Sequence, residues 1–398
     1  MIPRLRADDV VVFLGPSLSE RGARRVAPCR VLPPARAGDV LAVLPARPLA
    51  IALVDGLFDT TPSVWHREIL AALDAGVAVF GGASMGALRA AELGALGVVG
   101  VGAIHRAYAS GTLDDDAEVA LLHGDAEHGY RPLTVPLVTV RAAAEAARAE
   151  RLLSRAEARA LVAAAAAIHY TARTWPRVLA PLQPAVRARL EEFLPRAPDP
   201  KAEDARACVA AAAAFARARR AGAPPPAPPR LPESSHLRRA RLLHARARVG
   251  GGDVSAGEVA VALAARADAG RLAADGLRRA VAAALARSLG MTVSAGEADA
   301  AVAAWLSRLG VPSARREAFL AACALDAGSA RRLGEDLALE ARLLEDAARA
   351  IPDGPAWEEG LALEARLTGA WVEEATRLVG EGVGAQTRSR SRSPTRST

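Results

Sequence analysis

Three short runs without a polar residue mark the first hundred positions: Val10–Leu14, Ala50–Val54 and Val77–Phe80. Unbroken apolarity, as opposed to alternation, is the pattern of strands buried on both faces of a parallel sheet. Each run passes into polar, glycine-bearing sequence: Gly15-Pro16-Ser17, Asp55-Gly56, and Gly81-Gly82-Ala83-Ser84. Helical segments lie between them. The clearest is expected to open at Thr61-Pro62, a cap followed by proline at the first helical position, and to run to Gly76. This alternation predicts an α/β fold with an open, mostly parallel sheet in the N-terminal domain. Ligands of such sheets bind beyond the carboxyl ends of the strands. Ser17, Asp55 and Ser84 are therefore expected on one edge.

After about residue 137 the pattern becomes helical by propensity, with Arg and Glu interleaved. The expected organisation is an α/β core over 1–145, a helical extension over 146–220, a proline-rich linker over 221–232 and a largely α-helical C-terminal region over 233–380. Breaks are expected at Gly250–Gly252, Gly290, Gly310 and Ile351-Pro352. The tail 381–398, rich in Arg and Ser, carries too little apolar surface to fold and is expected to be disordered.

Composition narrows the function. The net charge of +7 is uneven: residues 1–150 hold 14 Arg against 17 Asp and Glu, net −3, which leaves +10 for the rest. Those arginines alternate with glutamates on helices, the look of a solvated face, so nucleic acid is not the expected partner. Lys201 is the sole lysine, which rules out a P-loop and leaves no other lysine for chemistry. Cys29, Cys208 and Cys323 are odd in number and widely spaced, suggesting a reducing compartment and neither a disulfide framework nor a zinc site. No signal peptide and no apolar run of membrane-spanning length is read, so a soluble, cytoplasmic protein without membrane contact is expected.

Gly82-Ala83-Ser84-Met85-Gly86 is a G-x-S-x-G between an apolar run and a helix-forming stretch. In that setting the serine is pushed out at a sharp turn, close to the free N–H groups of a helix start. The alternative is a small residue at a tight turn. A serine nucleophile needs an activator; His66, Arg67, Glu68 and Asp55 are the nearby candidates. Histidine suits a general base, whereas arginine can only stabilise negative charge. Asp114-Asp115-Asp116-Ala117-Glu118 reads as a helix start more than as a cation site. His123 and His128 lack the spacing of a helical zinc pair, and no metal or cofactor is expected. The glycine-rich stretch 94–111 is read as lacking the strand-to-helix setting of a dinucleotide fingerprint.

Five blocks in order resemble the core of TfuA-like proteins: "VVVFLGPSL", "PPARAGDVLAV", "AIALVDGLFDTTPSVWHREIL", "GVAVFGGASMGALRAAELGALGVVGVGAI" and "DDDAEVALLHGDAEHGYRPLT". They run from about Val10 to about Arg141. The resemblance implies a partner of a YcaO enzyme in peptide backbone thioamidation. It implies hydrolysis of the thiocarboxylate of a ThiS-like sulfur-carrier protein, so that sulfide is released for a ribosomal peptide substrate. It also implies a serine and lysine pair. The serine corresponds to Ser84. The position matched to the lysine is Arg67, which cannot accept a proton, and Lys201 lies outside the resembling blocks. His66 as base, Arg67 as an electrostatic aid, and a member that binds partners with little hydrolysis all stay open. The rivals are a non-catalytic adaptor joining carrier, peptide and YcaO, and an unrelated α/β serine hydrolase.

Overall fold

The computed structural model describes residues 4–378 except 58, 60, 228, 230–233 and 351–356. The expected disordered tail 381–398 and the end of the proline-rich linker lie outside the described residues. The chain divides into two compact units, Met1–Gly270 with Val302–Leu333, and Arg271–Ala301 with Gly334–Thr398. The first unit runs through the positions near 145, 220 and 232 at which boundaries are expected.

Five strands, β1 (Val10–Phe13), β2 (Arg30–Leu32), β3 (Ala50–Leu53), β4 (Ala78–Gly82) and β5 (Val99–Val101), form one parallel sheet in the order β2-β1-β3-β4-β5. Val11 lies beside Arg30 and Ile51, Ile51 beside Val79, and Phe80 beside Val99. This is a doubly wound order, in which the chain leaves β1 for one side of the sheet and later returns to the other. The switch point is therefore between β1 and β3, where their following loops diverge and open a crevice.

Helices α1 (Glu20–Val26), α2 (Asp39–Val43), α3 (His66–Asp74), α4 (Met85–Leu93) and α5 (Gly102–Ala109) follow the successive strands. Next come α6 (Leu137–Ala149), α7 (Arg155–Ala166), α8 (Trp175–Leu179) and α9 (Pro184–Phe193), packed around Val140, Leu161, Leu190 and Phe193. The long α10 (Pro200–Arg220) then comes back onto the sheet. Alternate strand residues face opposite sides: Val11, Phe13, Ile51, Leu53 and Val79 pack with α2, α3 and α4. Val10, Val12, Ala50, Ala52, Ala78 and Phe80 pack on the other side with Ala205, Cys208, Ala212 and Ala216 of α10. Small residues on both surfaces are what allow a helix to sit this low on the sheet. The expected mostly parallel sheet followed by helices is the observed architecture.

Three local readings are corrected. Residues 61–65 are not helical; α3 begins at His66. The carbonyl of Pro62 accepts from Ala37 N (2.9 Å), and the Glu68 carboxylate accepts from Trp65 N (2.8 Å), so the cap forms four residues later than Thr61. The glycine-rich stretch 94–111 does hold a strand and a helix, β5 and α5. Gly250 and Gly251 do not merely break helices. With φ of 59° and 86° they form the two-residue turn of an antiparallel hairpin, β6 (Arg246–Val249) and β7 (Gly252–Ser255).

The hairpin follows α11 (Ser235–His244) and precedes α12 (Ala256–Ala264). Beyond it lie α13 (Ala269–Ser288), α14 (Ala295–Arg308), α15 (Arg316–Ala322), α16 (Ala327–Ala350) and α17 (Trp357–Thr368). The second unit is built on Ala283 and Ala286 of α13 against Leu339 of α16, flanked by the ion pair Arg279–Glu340. No helix among the described residues is long and apolar enough to cross a membrane.

Candidate functional site

Ser84 stands between the end of β4 and the start of α4, which it caps. Ala83 before it has φ of +66°, a left-handed conformation that costs a non-glycine residue roughly 1 kcal/mol. Two glycines make this turn possible. A Cβ on Gly81 would lie 2.1 Å from Gly86 O, and one on Gly86 would lie 1.7 Å from Leu53 O. The turn is closed by Ser84 N donating to Gly82 O (2.8 Å), Gly86 N to Val54 O (3.2 Å) and Ala87 N to Ser84 O (2.9 Å). Among the described residues, the Met85 N–H and the Ser84 hydroxyl have no hydrogen-bond partner. A free N–H directly after the serine, at the positive end of a helix, is a ready oxyanion donor.

The serine opens onto a cleft of about 230 Å³ with Asp55, Asp59, His123, Tyr170 and Lys201 on its walls. Asp55, at the end of β3, is 2% exposed. Its carboxylate accepts from Ser17 Oγ (2.6 Å), Ser17 N (3.0 Å) and Gly15 N (2.8 Å). The loops after β1 and β3 are thus tied together at the switch point, with Ser84 on the neighbouring strand. Ser17, Asp55 and Ser84 gather as the strand order requires. Across the cleft, Tyr170 donates to Asp59 (2.6 Å), which pushes the phenol up to about 12.

Lys201 is the residue sequence reasoning set aside. It lies in the first turn of α10, behind the cap Asp199, which accepts from Ala202 N (3.1 Å), and Pro200 at the first helical position. It is 3% exposed, and its Nζ donates to the carbonyl of Val119 (2.9 Å). Burial holds its pKa below the usual lysine range, against the charges of Asp55 and Asp199. The positive end of α10 acts in the same direction as burial. A neutral amine is what a base needs. The available signal was the Asp-Pro helix start followed by a stripe of small apolar residues: such a stripe must cover something, and it covers the sheet that carries Ser84.

His66 and Arg67 do not line this cleft. Both are exposed on α3, where the ring of His66 pairs with Glu92 (2.8 Å). Glu92 lies about 12 Å along α4 from Ser84, at 1.5 Å of rise per residue. Glu92 also receives Arg89 (2.7 Å), so His66 belongs to a surface network. His123, which lacks the spacing of a helical zinc pair with His128, lines the same cleft as Ser84, and its Nδ1 bonds Gly124 O (2.6 Å).

A doubly wound sheet, with a serine on a strained strand-to-helix turn and a buried lysine lining one cleft, defines an α/β protein of the open-sheet class. Residues 55–174 match the model of a family described as TfuA-like protein, and the resemblance read from the five blocks is borne out there. That family is associated with YcaO enzymes, which supports a role beside such an enzyme in thioamidation at the level of the family. No curated protein matches the chain. The match contains Ser84 and most of the cleft, while Lys201 lies beyond it.

Proposed function

We propose that this protein works beside a YcaO enzyme in peptide thioamidation. In that role it hydrolyses the thiocarboxylate of a ThiS-like sulfur carrier, with Ser84 as nucleophile and Lys201 as base. The observation that carries this reading is the burial of the sole lysine in the cleft onto which Ser84 opens. The neutral amine of Lys201 takes the proton of the Ser84 hydroxyl, and the oxygen attacks the thiocarboxylate carbon. The Met85 N–H meets the charge that develops on the former carbonyl oxygen. The carbon–sulfur bond then breaks, and the proton held by Lys201 passes to the departing sulfur, which leaves as hydrogen sulfide ion. Water cleaves the resulting ester, restoring Ser84 and a carrier with an ordinary carboxylate. The sulfide goes to the YcaO enzyme and its ribosomal peptide substrate.

The test is sulfide release from a thiocarboxylated carrier by the wild type and by Ser84→Ala, Lys201→Met, His66→Ala and Arg67→Ala. The first two variants should lose on the order of 10²–10⁴ in rate, the last two less than about threefold. Undiminished release by Ser84→Ala would mean that Ser84 is only the small residue its tight turn requires.

A further inference from the structure

One wall of the serine cleft is a continuous stretch of chain. Consecutive residues Val119 to His123 line it, and one edge of this segment is already in use. Leu122 O accepts from Leu133 N (2.8 Å), Leu122 N donates to Thr134 Oγ1 (2.7 Å), and Gly124 N donates to Arg131 O (2.9 Å). His123 and Pro132 are bridged as antiparallel partners. In antiparallel pairs, positions that exchange hydrogen bonds alternate with positions that do not. The bonds flanking the bridge make His123–Pro132 a pair of the second kind, so the His123 N–H and C=O point away from Pro132. Leu121, two residues back, shares that direction. Among the described residues, neither Leu121 nor His123 has a main-chain hydrogen bond. This is an unpaired main-chain edge beside a single antiparallel bridge, in the cleft that also holds Ser84, and such an edge is a template for a strand.

We infer that the substrate enters as an extended polypeptide chain end, added as a strand along Leu121–His123, with main-chain pairing that presents its terminal carbonyl to Ser84. The inference rests on the reading of Ser84 as the working residue of the cleft. Continuity between two cavities supports a chain over a small molecule. The cleft adjoins a second cavity of about 390 Å³, the two sharing Pro16, Leu121 and Lys201. A strand, advancing about 3.3 Å per residue, is a shape that runs from one cavity into the other. Val135, Thr139, Thr174 and Trp175 line the second cavity, whose only charged lining residues are Asp199 and Lys201. The tail it suits is therefore uncharged and small in side chain, recognised through its backbone.

The experiment uses a fluorescein-labelled hexapeptide of glycine and alanine with a free C-terminus, and the full-length Ser84→Ala protein, which binds without turnover. Binding is followed by anisotropy for a series carrying one N-methyl amide at each position in turn. A strand-like tail predicts a period of two: methylation at alternate amides weakens binding on the order of tenfold, and at the others by less than about threefold. Leu121→Pro, which removes one edge N–H, should weaken the unmodified peptide by a similar factor, and Leu121→Ala should not. The methylation series decides alone if Leu121→Pro fails to fold. Uniform tolerance of methylation, or no binding at about 10 mM peptide, overturns the inference. Labelling of wild-type Ser84 by a fluorophosphonate separates the two ideas. Absent labelling with period-two binding would sink the nucleophile and keep the strand, and labelling with uniform binding would do the reverse.

Discussion

Asp204, on α10, accepts from the N–H groups of Ala103 and Ile104 at 2.8 Å each, so the lysine-bearing helix caps the start of α5. Gly102 makes room for it: a Cβ there would lie 2.1 Å from Asp204 Cγ. Asp204 follows Lys201 by one helical turn, and the backbone of the same turn lies over Gly82, two residues before Ser84. Two stretches far apart in sequence are held in one small volume by this carboxylate.

Replacing Asp204 by Ala leaves two N–H groups without an acceptor at a site only 6% exposed. The expected cost is about 2 kcal/mol, a lost cap plus unsatisfied donors. Urea unfolding of the purified variant measures it. A midpoint equal to that of the wild type would show that α10 is held by its apolar stripe alone.

Gly86 and Gly94 bracket α4 and should respond oppositely to alanine. At Gly86 the new carbon would meet the backbone of β3 at 1.7 Å, and no flexible side chain can give way. The helix must lift, at a cost of about 3 kcal/mol. Gly94 has an ordinary helical φ of −57°, and no atom lies within 4 Å of where an alanine methyl would stand. Alanine there should stabilise by roughly 0.5 kcal/mol through the unfolded chain. Thermal melts of the two variants check the contrast, and equal effects would contradict the close approach of α4 to β3.

What the sequence disclosed follows from how local each signal is. Strands β1, β3 and β4 are buried on both faces and read directly from their apolar runs. β2 and β5 span three residues each, include Arg30 and Gly100, and are only partly buried, so no run announces them. Ser84 was legible because its turn needs small residues at fixed neighbours. Lys201 was not, because its place depends on α10 crossing the sheet, and periodicity tells which face of a helix is apolar without saying what it covers. His66 and Arg67 are near Ser84 in sequence, but the burial of Glu68, Ile69 and Leu70 turns them to solvent.

Glu68 carries a pH dependence of its own. Fully buried, its carboxylate accepts from Gly38 N (3.0 Å), Val40 N (3.1 Å) and Trp65 N (2.8 Å), capping α2. Burial pushes its pKa up to about 7, from an ordinary 4.5, against the pull of those N–H donors. Between these values the folded protein keeps a proton that the unfolded chain has shed, so stability falls as pH rises from about 4.5 to about 7 and is level above. The fall attributable to this group is up to about 3 kcal/mol. Glu68→Gln should lose that slope. Parallel stability curves for wild type and variant across this range would assign the dependence elsewhere.

Lys201 makes the last prediction, in which stability and activity move apart. Burial and the start of α10 depress its pKa, so below the ordinary lysine range the unfolded chain holds a proton that the folded protein gives up. Stability from this group therefore increases with pH through the window up to 10.5, and near neutrality the buried amine is a cost. Lys201→Met keeps the length of the side chain and removes the group that titrates. It also frees the Val119 carbonyl from its 2.9 Å bond, which offsets part of the gain. The variant should be more stable than wild type at pH 7 by on the order of 1 kcal/mol, as expected when a buried functional group is replaced by an apolar one. The advantage should shrink as pH rises toward 10. Denaturant midpoints at pH 6, 7, 8 and 9 measure the trend. A variant less stable than wild type throughout, with a constant gap, would mean that Lys201 is a structural tether to Val119 and not a residue kept for its chemistry.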